Sequence, residues 1–162
     1  MTQPPDAVRQ FLRHTVATAA YRAAKPLRNA PESFPTFRTC DTARIPIKIL
    51  AHIGDLFDWA LSIAQGRQSW HDSDPLPWPA EVDRLHAAMR KFDDYLASAE
   101  TLHAPAEKLF QGPIADALNH IGQLAMLRRI SGAPIKGENY YQAEIVPGRF
   151  GLDQASPRRE FD

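Results

Sequence analysis

Two imidazoles and one carboxylate stand at spacings that can do metal chemistry. His52 and His120 each open the same tripeptide, His52-Ile53-Gly54 and His120-Ile121-Gly122, and Asp116 lies four residues before the second. Residues four apart on a helix share a face, with roughly 6 Å between their Cβ atoms, so Asp116 and His120 can offer an oxygen and a nitrogen to one point. His52 then has to arrive from another helix. Two imidazoles and a carboxylate can bind a divalent transition metal (zinc, nickel, iron or manganese) and leave positions open for water or substrate. An ion so held acts as a Lewis acid, or lowers the pKa of a bound water or thiol. The same residues also have a structural reading: inward histidines hydrogen-bonded in a core, and an aspartate near a helix start that complements the helix dipole. Asp55, one turn after His52, suits either an acceptor for the other ring nitrogen of His52 or an exposed carboxylate. A glycine inside a helix costs about 1 kcal/mol relative to alanine, so Gly54 and Gly122 predict close helix approach.

Apolar periodicity supplies the elements that must position these groups. Val8, Leu12, Val16, Ala19 and Ala23 step by three or four and predict a first helix that stops at Pro26. Pro31 and Pro35 break the following loop, 27–43. A second helix opens at Pro46 and stops at Gly66. It carries two apolar rows, one through Leu50, Ile53 and Phe57, the other through Ile49, His52, Leu56 and Trp59. Such a helix is covered on two sides, as in a bundle, and His52 points inward. Beyond a proline-rich loop over 67–79, Val82, Leu85, Met89, Phe92 and Leu96 mark a third helix. After a short turn over 105–111, a fourth runs from Pro113 to a stop before Gly132-Ala133-Pro134. Ile114, Leu118, Ile121 and Ala125 form its core row, and Asp116, His120, Gln123, Leu127 and Ile130 lie beside it. That second row begins polar and ends apolar, as expected where a core opens into a polar pocket.

No strand is expected. The fold class is all-α: a four-helix bundle in a single domain over 1–162, with its core at about 5–132 and an irregular tail over 133–162. The tail either wraps the bundle or frays. If it returns near His52, Asn139 or Tyr140 can contact a ligand; otherwise the tyrosines pin it. Trp59 and Trp70 read as packing or loop anchors, Asp93-Asp94 as a solvated pair, and Arg128-Arg129 as complements to a helix C-terminus. His14, His71, His86 and His103 lack a partner at helical spacing.

Composition narrows the function classes. Nineteen basic residues balance nineteen acidic ones, so no net field draws the chain to nucleic acid or an anionic membrane. No apolar run approaches the roughly 20 residues of a membrane span. Met1-Thr2-Gln3-Pro4-Pro5-Asp6 lacks the charged and apolar regions of a signal peptide. The one cysteine, Cys40, excludes an intrachain disulfide and lies in a polar loop without an obvious base. A cytoplasmic location is expected.

With Ala51-His52-Ile53 and Trp59 on the second helix, and Asp116-Ala117-Leu118-Asn119-His120-Ile121-Gly122-Gln123 on the fourth, the chain resembles the DinB-like superfamily of four-helix bundle proteins. In that family the second helix supplies one metal-ligating histidine. The fourth supplies two, four residues apart, the second often followed by x-Gly-Gln. The resemblance therefore implies ligation by His52 and His120, with Gly122-Gln123 matching the following pair. It places Asp116 where the family usually has histidine, which retains a ligand atom but changes charge and hardness. The resemblance further implies a metal-dependent enzyme using a low-molecular-weight thiol on a small electrophilic substrate, related to bacillithiol S-transferases and mycothiol-dependent maleylpyruvate isomerase, or a related hydrolase or isomerase. It also implies a homodimer. The competing expectation is a non-catalytic dimeric bundle that binds a metal or a small ligand. A third is the two-histidine, one-carboxylate triad of a non-haem iron oxygenase, for which nothing marks a co-substrate site.

Overall fold

Asp6 accepts hydrogen bonds from the backbone N–H groups of Val8 and Arg9 and starts helix α1, Ala7–Leu27, in the computed structural model, which describes residues 6–162. Residues 1–5, most of the N-terminal stretch considered for a signal peptide and the first residue of the expected core, lie outside that range. Helix α2 spans Pro46–Ala64 and α3 spans Trp78–Ala97. A short α4, Ala106–Leu109, runs through one wide turn over Phe110–Ile114 into α5, Ala115–Ile130. The four long helices form the expected all-α bundle. Each of α1 and α2 packs against both α3 and α5, so α1 and α2 stand on one diagonal and α3 and α5 on the other. The long connection over 28–45 crosses a diagonal, which explains its length.

The core is filled by Leu12, Val16, Leu50, Ile53, Phe57, Leu85, Met89, Phe92 and Leu124, each at most 1% exposed. All but Leu124 belong to the periodic rows of the sequence. A buried Phe or Leu truncated to alanine in such a core costs about 2–5 kcal/mol.

Prolines differ from expectation in three places. Pro26 lies inside α1 instead of ending it. Its missing N–H deprives the carbonyl of Arg22, and Arg22 is exposed, where water can replace the bond. Pro77 and Pro79 sit at the start of α3, four residues before Val82, because proline suits a first helical turn. Pro113 does not open a helix either: it lies within the wide turn that joins α4 to α5. Proline cannot donate to the preceding turn, and the backbone widens around it and continues.

The tail wraps the bundle and contains the one departure from an all-helical chain among the described residues. Strand β1, Gly137–Glu138, pairs antiparallel with β2, Glu160–Phe161. The Phe161 ring lies over Gly137, where an added Cβ would come within 2.6 Å of it and the exposed ring would have to shift. Glu138, 5% exposed, accepts from the Tyr21 hydroxyl and pairs with Lys25 at 3.0 Å. Lys25 also reaches Glu160 at 2.9 Å. Tyr140 meets Tyr21 edge-on and lies beneath the Arg22 guanidinium, 4.2 Å from its ring centroid. Asn139 accepts from the N–H of Tyr141. Tail and α1 are thus stapled together, and Asn139 and Tyr140 serve that staple, not a ligand.

Two charged pairs are corrected as well. Asp93 is 1% exposed and takes a two-pronged bond from Arg13, both contacts at 2.9 Å, so it is no solvated carboxylate. Arg128 is buried and donates across the bundle to the carbonyls of Pro26 and Arg28, closing the C-terminus of α1. No described helix is long and apolar enough to cross a membrane.

Candidate metal centre

His52, Asp116 and His120 converge at the contact between α2 and α5. One ligand atom from each lies within 4.8 Å of the others. The Asp116 carboxylate reaches both rings, with Oδ2 3.7 Å from His52 Nε2 and Oδ1 3.4 Å from His120 Nε2. The imidazoles are edge-on with centroids 4.7 Å apart. The i, i+4 spacing produces the Asp116–His120 proximity, and the inward row of α2 delivers His52 opposite them. On α5, Asp116 is the most open of the three, its side chain 46% exposed against 21% for His52 and 13% for His120.

Donor spacing tests whether these residues suit an ion. Two ligands about 2.0–2.1 Å from a tetrahedral ion stand about 3.4 Å apart; His120 Nε2 lies 3.4 Å from one Asp116 oxygen and His52 Nε2 3.7 Å from the other, both close to that spacing. Two borderline nitrogens and one hard oxygen are a donor set for a divalent transition metal. His120 Nδ1 lies 2.7 Å from Gln123 Oε1, which accepts its proton and leaves Nε2 free to ligate. Burial pushes the His52 imidazolium down, with His120 and Arg44 adding to the effect, so the neutral, ligating form is favoured. The residues fit the group.

Space opens on two sides. A cavity of about 460 Å³ between the 28–45 connection, α2 and α5 is lined by Arg44, Ile49, His52, His120, Gln123 and Leu127 among others. On the opposite side, about 520 Å³ is bounded by His52, Leu56, Trp59, Gln68, Trp70 and Asp116. Trp70 packs edge-on against His52 at 5.5 Å and against Trp59 at 5.7 Å. Both tryptophans therefore wall the site, in contrast to the sequence expectation. Their only sequence signal was Trp59 on the His52 row; Trp70 lies in an aperiodic loop.

Asp55 serves neither role expected of it. It is 2% exposed and accepts from the N–H and hydroxyl of Ser73, at 2.9 and 2.7 Å, and from Arg84 at 3.1 Å. His71 joins it at 3.2 Å, with Asp58 3.5 Å from the same ring nitrogen. Asp55, Asp58 and His71 are a second group that could hold an ion by spacing, but Arg84 already provides their cation, 3.4 Å from Asp58. Burial pushes the Asp58 carboxyl up. Gly54 faces this network, since a Cβ there would lie 2.8 Å from the Arg84 guanidinium. Its role is to admit an arginine. Gly122 has nothing within 4 Å of an added Cβ, so it marks no close approach.

No protein-family model matches the chain, and neither a curated protein nor a solved structure matches it.

Proposed function

We propose that the chain is a DinB-like, metal-dependent enzyme in which His52, Asp116 and His120 hold a divalent transition metal, and that it transfers a low-molecular-weight thiol to a small electrophile. The observation that carries this reading is the convergence of both Nε2 atoms on one carboxylate. A divalent ion held there supplies Lewis acidity and favours the thiolate, which is the nucleophilic form of a thiol. Gln123 fixes the ring orientation and tautomer of His120, and Trp70 limits the swing of His52. Cavities on both flanks of the triad give a thiol and an electrophile separate approaches. Hydrolysis or isomerisation at the same centre would use the same residues with water or substrate in the thiol's place.

The test is consumption of bacillithiol, mycothiol or glutathione with monobromobimane by the metal-loaded protein. Turnover above a His120→Ala control is expected. Equal rates for the two proteins would overturn the enzymatic reading, and tight metal binding without turnover would favour a non-catalytic metal-binding bundle.

A homodimer is part of the proposal. Val8, Phe11 and Phe110 are 51%, 65% and 41% exposed and line one apolar groove between α1 and α4. Contiguous apolar surface of this kind favours association. Sedimentation at micromolar concentration is expected to give twice the chain mass; monomer alone would refute it.

A further inference from the structure

The cavity on the Arg44 side of the triad has a charge pattern of its own. No carboxylate lines it, and Arg44 is its one charged side chain apart from the histidines. Arg44 makes no ion pair or side-chain hydrogen bond among the described residues. A smaller cavity shares Arg44 and His52 and includes Lys48 with Asp55, Asp72 and Asp74, yet none of these carboxylates reaches the Arg44 guanidinium. The N-terminus of α2 opens beside the same space, with no acidic residue in its first turn and no side-chain cap, so its positive dipole end is uncompensated. Opposite Arg44, Ile49, Met126 and Leu127 supply an apolar wall. At about 460 Å³ the space suits a small molecule.

We propose that this cavity takes a small amphipathic carboxylate, its oxygens received by Arg44 and its apolar body lying along Ile49, Met126 and Leu127. A guanidinium matches a carboxylate through two parallel N–H donors. One unpaired cation suits a monoanion, whereas a dianionic phosphate would call for several donors. With the head group on Arg44, the body of the ligand extends towards His52 and His120 on the same cavity wall. The proposal names the substrate class for the metal-dependent reading and rests on it for the chemistry, while binding itself requires only Arg44 and the cavity.

The experiment follows amide NMR shifts as hexanoate or hexanamide is added to the metal-free protein. Hexanoate is expected to bind with millimolar affinity or better, and hexanamide at least about tenfold more weakly, since a bond to a charged group outweighs a neutral one. Arg44→Gln is expected to weaken hexanoate by about tenfold or more without changing hexanamide, and Arg44→Lys to restore part of the loss. Equal affinity for the two probes, an unchanged Arg44→Gln variant, or no saturable hexanoate binding would each overturn the inference. Cobalt(II) titration of wild type and Arg44→Gln separates the two readings. Cobalt bound by both proteins with hexanoate ignoring Arg44 sinks this inference alone. No cobalt on wild type sinks the metal reading, and the hexanoate result still decides the role of Arg44.

Discussion

His120→Ala and His52→Ala are each expected to lower divalent-metal affinity by well over the 10–100-fold that loss of an outer hydrogen-bonding partner produces. The wild type should take up one cobalt(II) per chain with visible absorption bands, and gain thermal stability with metal concentration, about 2.7 kcal/mol at a hundredfold excess over Kd. The reason is geometric. Removing either imidazole leaves two donors, and no other His, Cys, Asp or Glu of the described residues joins the group within 4.8 Å. Gln123→Leu leaves all three ligands but frees the His120 ring from its 2.7 Å partner, so an intermediate loss of about 10–100-fold is expected. Protons compete with the ion, because each imidazole has to be neutral to ligate. Affinity should therefore fall as the solution is acidified. At His52 the competition sets in at lower pH, since burial pushes its imidazolium down. Cobalt binding that is no tighter in wild type than in a His52→Ala/His120→Ala double variant would refute the site.

The residues of this centre divide by how far local rules reach. Asp116 and His120 were legible because helical spacing alone brings them together, and His52 because its neighbours Ile49, Leu56 and Trp59 define an inward row. The bundle followed from the same periodicity, and most of the described core comes from the predicted rows, although Leu124 and Ala117 replace Leu118 and Ala125 at the centre of α5 and Val8 faces outward. What the sequence did not disclose depends on pairings across long separations. Trp70 reaches His52 from a loop that Ser69 ties to Ser62 and Ser73 ties to Asp55. Asp93 looked solvated because its partner, Arg13, is 80 residues away. Arg128 looked like a local cap, yet it closes a different helix 102 residues distant. Pro26 and Pro113 misled for another reason. Their effect on a helix depends on whether the orphaned carbonyl finds water or a widened turn, and neither outcome is written in local sequence.

The second large effect concerns the arginine that orders the other side of the site. Arg84→Met is expected to destabilise the fold by about 3 kcal/mol, the lower end of the range for breaking a buried ion pair. Arg84 donates to Glu81, which is fully buried, to Asp55, to Asp58 and to the Ala51 carbonyl. Methionine fills much of the same volume, so the loss isolates the charge. Partial compensation keeps the figure from being higher: Asp55 retains both Ser73 bonds, and Glu81 retains the N–H of Leu76 at 2.8 Å. Those two acceptors anchor the loop over 65–77, whose Trp70 packs on His52. The variant should therefore also show increased quenching of tryptophan emission by acrylamide. The pH dependence has a definite sign. Buried carboxylates without their cation neutralise themselves by taking a proton, so the variant's folded state gains protons that its unfolded state holds less tightly. Its deficit is then largest near neutrality and narrows as pH falls, and Asp58, already pushed up by burial and held back by Arg84, takes a proton more readily once the guanidinium is gone. Urea unfolding of both proteins at neutral and mildly acidic pH measures this directly. A deficit under about 1 kcal/mol at neutral pH, the scale of an exposed pair, would show that the network orders the loop without holding up the fold.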